Sequence, residues 1–387
     1  MSGIRIGRVL DRIDAELLAL AGTPAPGQTA HARACTMNLV VVAATPDLSK
    51  AWVPVVDEVL KTLPARAIVV GLDPDGDDAL EAGITPICAP GESVIVCSER
   101  VTLVARGGVC ARLPSCVAAL CASDVPTTLV WLGHVHAGDP AFEPLARDAS
   151  RIVLDAAQGS LGSLASVVYW ARARPERDRP GVADLTWTRL AAWQELTARF
   201  FDEPRLRPLA RRVERVVLSQ ASAAGAPLGP EATLLLGWLS TSLGWRASSL
   251  AGKLRLVRAD PSATAGPGGP RDGGETYVLP VLRADPAART ARDALVSVRL
   301  EASAGDLSMR AEITREPGEP DAATWRLDVT SAGVTNRIEQ HVRLRASEPA
   351  SLLQRTLHRP TSDPALTEAA AWADELRGEE LACSGSA

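Results

Sequence analysis

The sequence predicts two domains: an α/β N-terminal domain, with a mostly parallel sheet covered by helices on both faces, and an α+β C-terminal domain with an antiparallel sheet. Three observations lead there. Short, continuously apolar runs alternate with helix-length stretches between residues 37 and 173, which is the pattern of a parallel sheet buried on both sides. From Val296 onward the apolar period falls to two, which marks strands with one buried and one wet face. The chain has 387 residues, 46% hydrophobic and 22% charged, enough for a substantial core in more than one domain.

In chain order, Val9, Leu10, Ile13, Leu17 and Leu20 fall at helical spacing and predict an opening amphipathic helix, ended by the Pro- and Gly-rich segment 22–30. Apolar runs at 37–44, 67–72, 128–132 and 152–154 predict strands, and helices fit at 48–63, 115–123, 140–149 and 161–173. Residues 93–105 read as a strand or hairpin added beside the parallel set. The charged segment 173–180, with two prolines, carries no apolar period, so the domains are placed at 1–178 and 179–387. Asp184 then opens a helix as its N-cap, with Leu185, Trp193, Leu196 and Phe200 on the buried side. A strand is expected at 213–218 and a helix at 230–243. Alternation through Val298, Leu300, Met309, Ala311, Ile313, Trp325, Leu327, Val329, Ile338 and Val342 builds the antiparallel sheet, and the Gly- and Pro-dense stretch 260–274 is a loop or insertion.

Composition excludes several function classes. Forty-one Lys and Arg against 46 Asp and Glu give a net charge of -5, which disfavours nonspecific binding to nucleic acid or an anionic membrane surface. Aromatic residues make up 4%, so a base-stacking platform is not expected. Charges at Arg5, Arg8, Asp11, Arg12, Asp14 and Glu16 break any apolar leader core, and no apolar run approaches the roughly 20 residues of a membrane span. The expectation is a cytoplasmic protein. Seven cysteines, at 35, 88, 97, 110, 116, 121 and 383, contain no Cys-x-x-Cys pair and fit reduced thiols better than a disulfide framework. Cys116 and Cys121 share one helical face and either line the core or form a redox pair.

The chemistry-bearing motifs are sparse. No Gly-x-Gly-x-x-Gly follows the first buried strand, no Gly-x-x-x-x-Gly-Lys-Ser/Thr loop is present, and a Gly-x-Ser-x-Gly elbow is also missing. No catalytic residue, metal site or cofactor is therefore assigned. His134 and His136 sit just after a strand, at the carboxyl edge where α/β sheets place ligands. Asp155 follows the next strand, and Ser160 with Ser163 precedes a helix, where hydroxyls and N–H groups can hold a phosphate. The plainer reading makes Ser160 an ordinary helix cap. The stretch from Asp184 to Pro204 concentrates Trp187, Trp193, Phe200, Phe201 and Arg189, residue types favoured at interface centres and equally at home in a core helix. Alternating charges at Arg299, Glu301, Arg310, Glu312, Arg326, Asp328, Arg337 and Glu339 form either a solvated sheet face or a docking face.

Five segments occur together in one order: RACTMNLVVVA (33–43), LPARAIVVGLD (63–73), TTLVWLGHVHAGDPAFEPLARDASRIVLDA (127–156), DLTWTRLAAWQELTARFFD (184–202) and LLLGWLSTSLGW (234–245). Together they resemble the OpcA family of glucose-6-phosphate dehydrogenase assembly proteins, most specifically in the stretch that begins at Asp184. The resemblance implies a non-catalytic accessory protein that binds glucose-6-phosphate dehydrogenase, promotes its active oligomer and modulates its activity. For that partner, Asp184, Trp187, Arg189 and Trp193 are the interface candidates, on the preference of interface centres for Trp and Arg. The alternative is an enzyme or sensor that binds a sugar phosphate at the carboxyl edge through His134, His136, Asp155 and Ser160. Two stretches depart from the family pattern: 131–136, which holds the two histidines, and 156–159, which reads Ala-Ala-Gln-Gly.

Overall fold

A computed structural model describes residues 6–20, 31–33, 35–90, 95–250, 253–258, 277–288, 290–345, 348–376 and 384–385. The segments 22–30 and 260–274, and Cys383, lie outside the described residues. In chain order the elements begin with α1 (Ile6–Leu20), β1 (His31–Arg33), β2 (Asn38–Ala43), α2 (Pro46–Leu60), β3 (Arg66–Asp73), β4 (Ala79–Pro90) and β5 (Ile95–Arg106). They continue with α3 (Leu113–Leu120), β6 (Thr127–Leu132), α4 (Phe142–Asp148), β7 (Arg151–Leu154), α5 (Leu161–Arg172), β8 (Gly181–Asp184), α6 (Leu185–Ala198), α7 (Arg207–Ala210), β9 (Val213–Gln220) and α8 (Pro230–Leu243). The last are β10 (Trp245–Leu250), β11 (Lys253–Arg258), β12 (Tyr277–Ala284), β13 (Leu295–Ala304), β14 (Leu307–Glu316), β15 (Glu319–Ser331), β16 (Val334–Arg343), α9 (Pro349–His358), α10 (Pro364–Glu375) and β17 (Ser384–Gly385).

The chain divides into two compact units, residues 1–185 with 348–363, and 186–347 with 364–387. The division differs from a single cut at 178, because the chain returns to the first unit to add α9.

In the first unit the strands run β1-β5-β3-β2-β6-β7-β8, parallel throughout, with β4 added antiparallel to β5. Every residue of β2 and β7 is buried, as their unbroken Val, Ile and Leu runs require of strands covered on both faces. Thr45 caps α2 by accepting from the Leu48 N–H at 3.2 Å, and Pro46 sits at the first helical position. The apolar face of α2, with Trp52, Val56 and Val59, packs with Leu352 and Leu353 of α9 over Leu39, Val41 and Val69.

Two polar residues fix the ends of elements in this core. Asn38 donates to the Ala122 carbonyl and accepts from its N–H, both at 2.9 Å, so the start of β2 is tied to the chain leaving α3. Arg151 is 4% exposed, and its guanidinium donates to the carbonyls of Thr356 and Leu357 at 3.0 Å and to that of Arg359. The last carbonyls of a helix have no partner within it, and here a buried cation meets those of α9. Burial pulls the Arg151 guanidinium below its ordinary pKa.

The expected strand beside the parallel set is β5 (Ile95–Arg106), which pairs in parallel with β3 and antiparallel with β4. Its register sets Cys88 opposite Cys97, Cα atoms 4.1 Å apart, and the two form a disulfide. The expectation of reduced thiols is corrected for this pair: spacing along the chain does not show that two strands bring the residues face to face. Cys116 is a buried free thiol and Cys121 a half-buried one, and burial raises the pKa of both.

In the second unit the order is β10-β11-β12-β9-β13-β14-β15-β16, with β17 beside β12. The sheet is mixed: β9 and β12 are parallel, whereas β9, β13, β14, β15 and β16 are successively antiparallel. Val298, Leu300, Ala311, Ile313, Leu327 and Val329 form its buried face. The alternation extends through β16, yet Ile338 is 47% exposed, because β16 ends the order and its far side meets no described strand. No helix among the described residues is long and apolar enough to cross a membrane.

Replacing Arg151 by Met is expected to lower the unfolding free energy by about 3 kcal/mol, since it leaves the carbonyls ending α9 buried and unmet. Denaturant titration checks this, with Arg151→Lys recovering part of the loss.

Candidate functional site

The loops at the carboxyl edge of the first sheet are built by close backbone approach. Gly133, following β6, has φ +117°, and a Cβ there would stand 2.7 Å from the Ala44 Cβ beyond β2. A Cβ on Gly159 would stand 2.6 Å from the Gly133 carbonyl oxygen. Three strand ends are thus packed against one another through residues with little or no side chain.

The polar groups of this edge hold those loops. Ser160 caps α5 by accepting from the Ser163 N–H at 3.0 Å, and its hydroxyl lies 3.0 Å from that of Ser163. Ser163 Oγ accepts from the Val135 N–H at 3.0 Å, and Ser166 Oγ accepts from the Ala137 N–H at 3.1 Å. The His-x-His loop is therefore pinned to α5 by its backbone, while the His134 and His136 side chains are exposed. Asp155 is 4% exposed; its carboxylate accepts from the Ala157 N–H at 3.2 Å, and its carbonyl from the N–H groups of Gln158 and Gly159. Asp184 Oδ2, at the end of β8, accepts from the Ala156 N–H at 2.8 Å. Asp184 and Asp155 thus serve one loop, which the sequence kept in separate proposals. Among the described residues no three His, Cys, Asp or Glu side chains gather in a way that could hold a metal ion.

An apolar cavity of about 190 Å³ lies elsewhere, near the start of β6, lined by Pro114, Val117, Thr127, Leu129, Leu145 and Asp148.

The remaining candidates sit on α6. Trp187 and Trp193 are buried, and the helix shows solvent little beyond Glu195 and Ala198. Arg189 pairs with Glu231 of α8 at 3.2 Å, with side chains 20% and 7% exposed. The other Glu231 oxygen accepts from the Leu295 N–H at 2.8 Å, and the Leu295 carbonyl accepts from Arg315 Nε at 3.2 Å. Arg315 lies over the Trp193 ring, 5.6 Å from its centroid. Its burial lowers the guanidinium pKa, the nearby Arg189 pushes the same way, and Glu231 and Asp321 oppose it. Further along, Trp325 donates to the Leu196 carbonyl at 3.0 Å and stacks on Phe200 with centroids 4.9 Å apart. This stretch is the most distinctive of the sequence, and the structure uses it to join α6 to α8 and to the sheet. Glu231 and Arg315 had no sequence signal as its partners, for an acidic residue in the first turn of a helix, as Glu231 is in α8, is ordinary.

Arg189→Ala is expected to destabilise the second unit by about 2–3 kcal/mol, because it leaves Glu231 buried without its cation. Alanine at His134 or His136 is expected to stay within about 0.5 kcal/mol of the parent. Thermal and denaturant unfolding of the three variants checks the contrast.

Comparison with known proteins follows the two units. Residues 56–167 match the family described as glucose-6-phosphate dehydrogenase subunit N-terminal domain, and residues 180–370 match its C-terminal domain. The OpcA protein of Nostoc punctiforme, named for the OxPP cycle, is 29% identical over 198 residues, covering 50% of this chain and 41% of that protein. That of Synechocystis sp. is 26% identical over 229 residues, covering 56% and 45%. The matched region thus spans less than half the length of these relatives. Among solved structures, glucose-6-phosphate 1-dehydrogenase from Mycobacterium avium superposes with a TM-score of 0.49 at 11% identity, covering 91% of this chain and 94% of that one. The 3-ketoreductase KijD10 from Actinomadura kijaniata gives 0.45 at 9%, covering 90% and 99%. Likenesses this weak carry no inference. The family matches do, for they take up most of the chain in the order of its two units: the chain belongs to the OpcA family of glucose-6-phosphate dehydrogenase subunits.

Proposed function

We propose that this chain is a non-catalytic subunit that binds glucose-6-phosphate dehydrogenase in the cytoplasm, promotes its active oligomer and modulates its activity in the oxidative pentose phosphate pathway. The observation that carries this reading is the successive match of both domains of one dehydrogenase subunit, at 56–167 and 180–370. The commitment of Ser160, Ser163, Asp155 and Asp184 to loop backbone supports it, since these groups serve the shape of the edge.

Such a subunit acts by binding one state of the enzyme better than another, and the shift it causes cannot exceed that difference in affinity. In this reading Asp184, Trp187, Arg189 and Trp193 serve the association by setting the position of α6 and the loop after β7. The surface presented to the enzyme then depends on them through packing.

The test is to mix the purified chain with the dehydrogenase of the same cell. Joint elution in size-exclusion chromatography is expected, with a change in the KM for glucose 6-phosphate between about 5-fold and 150-fold, the usual range of coupling between two sites. Separate elution with unchanged kinetics, or turnover of a metabolite by this chain alone, would overturn the proposal.

A further inference from the structure

The outer face of the second sheet carries two rows of charge that run across the strands. Register pairs Arg299 with Glu312, Glu312 with Arg326, and Arg326 with Glu339. The neighbouring row runs Arg215, Glu301, Arg310, Asp328, Arg337. Signs alternate along both. Several adjacent members are ion pairs, among them Arg299 with Glu312 at 2.6 Å, Arg326 with Glu339 at 2.7 Å and Arg337 with Asp328 at 2.6 Å. At β16 one row stops on a negative charge, Glu339, and the other on a positive one, Arg337.

The free side of β16 is ready to pair. Ala332 and Gly333 form the two-residue turn before it, both with positive φ, 48° and 79°, and Ser331 faces Val334. A two-residue turn makes the flanking residues a hydrogen-bonded pair, and the pattern alternates from there. Val334, Asn336, Ile338 and Gln340 therefore turn their N–H and C=O groups toward β15. Those of Thr335, Arg337, Glu339 and His341 point away from it, where no described strand lies. Of the three exposed large apolar residues among those described, Val334 at 62% and Ile338 at 47% are on this strand.

We propose that β16 is a self-association edge that pairs antiparallel with β16 of a second copy, the two-fold axis passing between the two Ile338 residues. In that register Arg337 faces Glu339 of the second copy in a hydrogen-bonded pair, twice, and Thr335 faces His341. Each charge row then continues into the other row of the second copy, its signs alternating without a break from Arg299 of one chain to Arg215 of the other. Ile338 meets Ile338, and Val334 meets Val342. Slipping the register by two residues, which puts the axis on Arg337 or on Glu339, sets Arg337 against Arg337 or Glu339 against Glu339, and slipping it by one sets outward backbone groups against inward ones. The charges thus admit this register and reject its neighbours.

Sedimentation analysis of the full chain tests the proposal. A reversible dimer is expected. Arg337→Glu puts Glu against Glu339, and Glu339→Arg puts Arg against Arg337, so each alone is expected to raise the dimer Kd about tenfold or more. Mixing the two variants restores opposite charges at both contacts and is expected to recover a dimer containing one of each. Ile338→Cys, made in the parent chain, is expected to form an interchain disulfide under mild oxidation that the parent does not form, which reads the register even if a charge variant folds poorly. A chain that stays monomeric up to about 100 μM, a dimer that ignores both charge variants, or an Ile338→Cys variant that does not cross-link would overturn the proposal. So would protection of β16 seen only when the dehydrogenase is present.

Discussion

A polar backbone group taken out of water must meet a partner, and at several junctions of both units one side chain answers that demand. Arg151 answers it for the end of α9, Asn38 for the chain leaving α3, and Asp184 for the loop after β7. In the second unit Gln220 accepts from the Gly229 N–H at 2.8 Å and donates to the Pro227 carbonyl at 2.9 Å, which sets the entry to α8. Glu231 then joins that helix to Leu295 of β13 and to Arg189 of α6. Apolar burial supplies most of the driving force but is indifferent to direction. These few directed contacts decide where each helix stops on its sheet, and the geometry of the loops follows from where the helices stop.

The parts of the fold that were legible in the sequence are those that local chemistry decides. The helix at 230–243 is bounded by Pro230 at its start and Gly244 at its end, and the structure keeps both bounds. The strands β2, β3, β6 and β7 were visible because a strand buried on both faces must be apolar throughout. What was not legible depended on distant partners. The strand β4 carries Gly83 and Pro86, which argue against a strand, and an edge tolerates them. The return of α9 to the first unit rests on Leu352 and Leu353 meeting α2, nearly 300 positions earlier in the chain.

The site shows the same division. That Ser160 caps a helix follows from its place before an apolar stretch, and the structure agrees. For α6 the sequence left two readings open, interface and core, because Trp and Arg suit both. The helix lies in the core because Arg189 finds a carboxylate 42 residues away and Trp325 reaches back across 129 to the Leu196 carbonyl. A motif can therefore be the most recognisable part of a family and still be buried, when what its residues fix is the shape of a surface they do not form.

The charged sheet face turns on the same point. Natural sheets blunt an exposed edge with charge, since an open row of N–H and C=O groups accepts almost any strand. Had exclusion been the sole requirement, charges of one sign along β16 would serve it best, because they repel every copy in every register. The strand instead alternates Arg337 and Glu339 and places Ile338 between them, and the rows behind it already alternate across four and five strands. Such an edge repels itself when the axis falls on either charge and attracts itself when the axis falls between them. The same residues that discourage indiscriminate pairing thereby select one partner and one register.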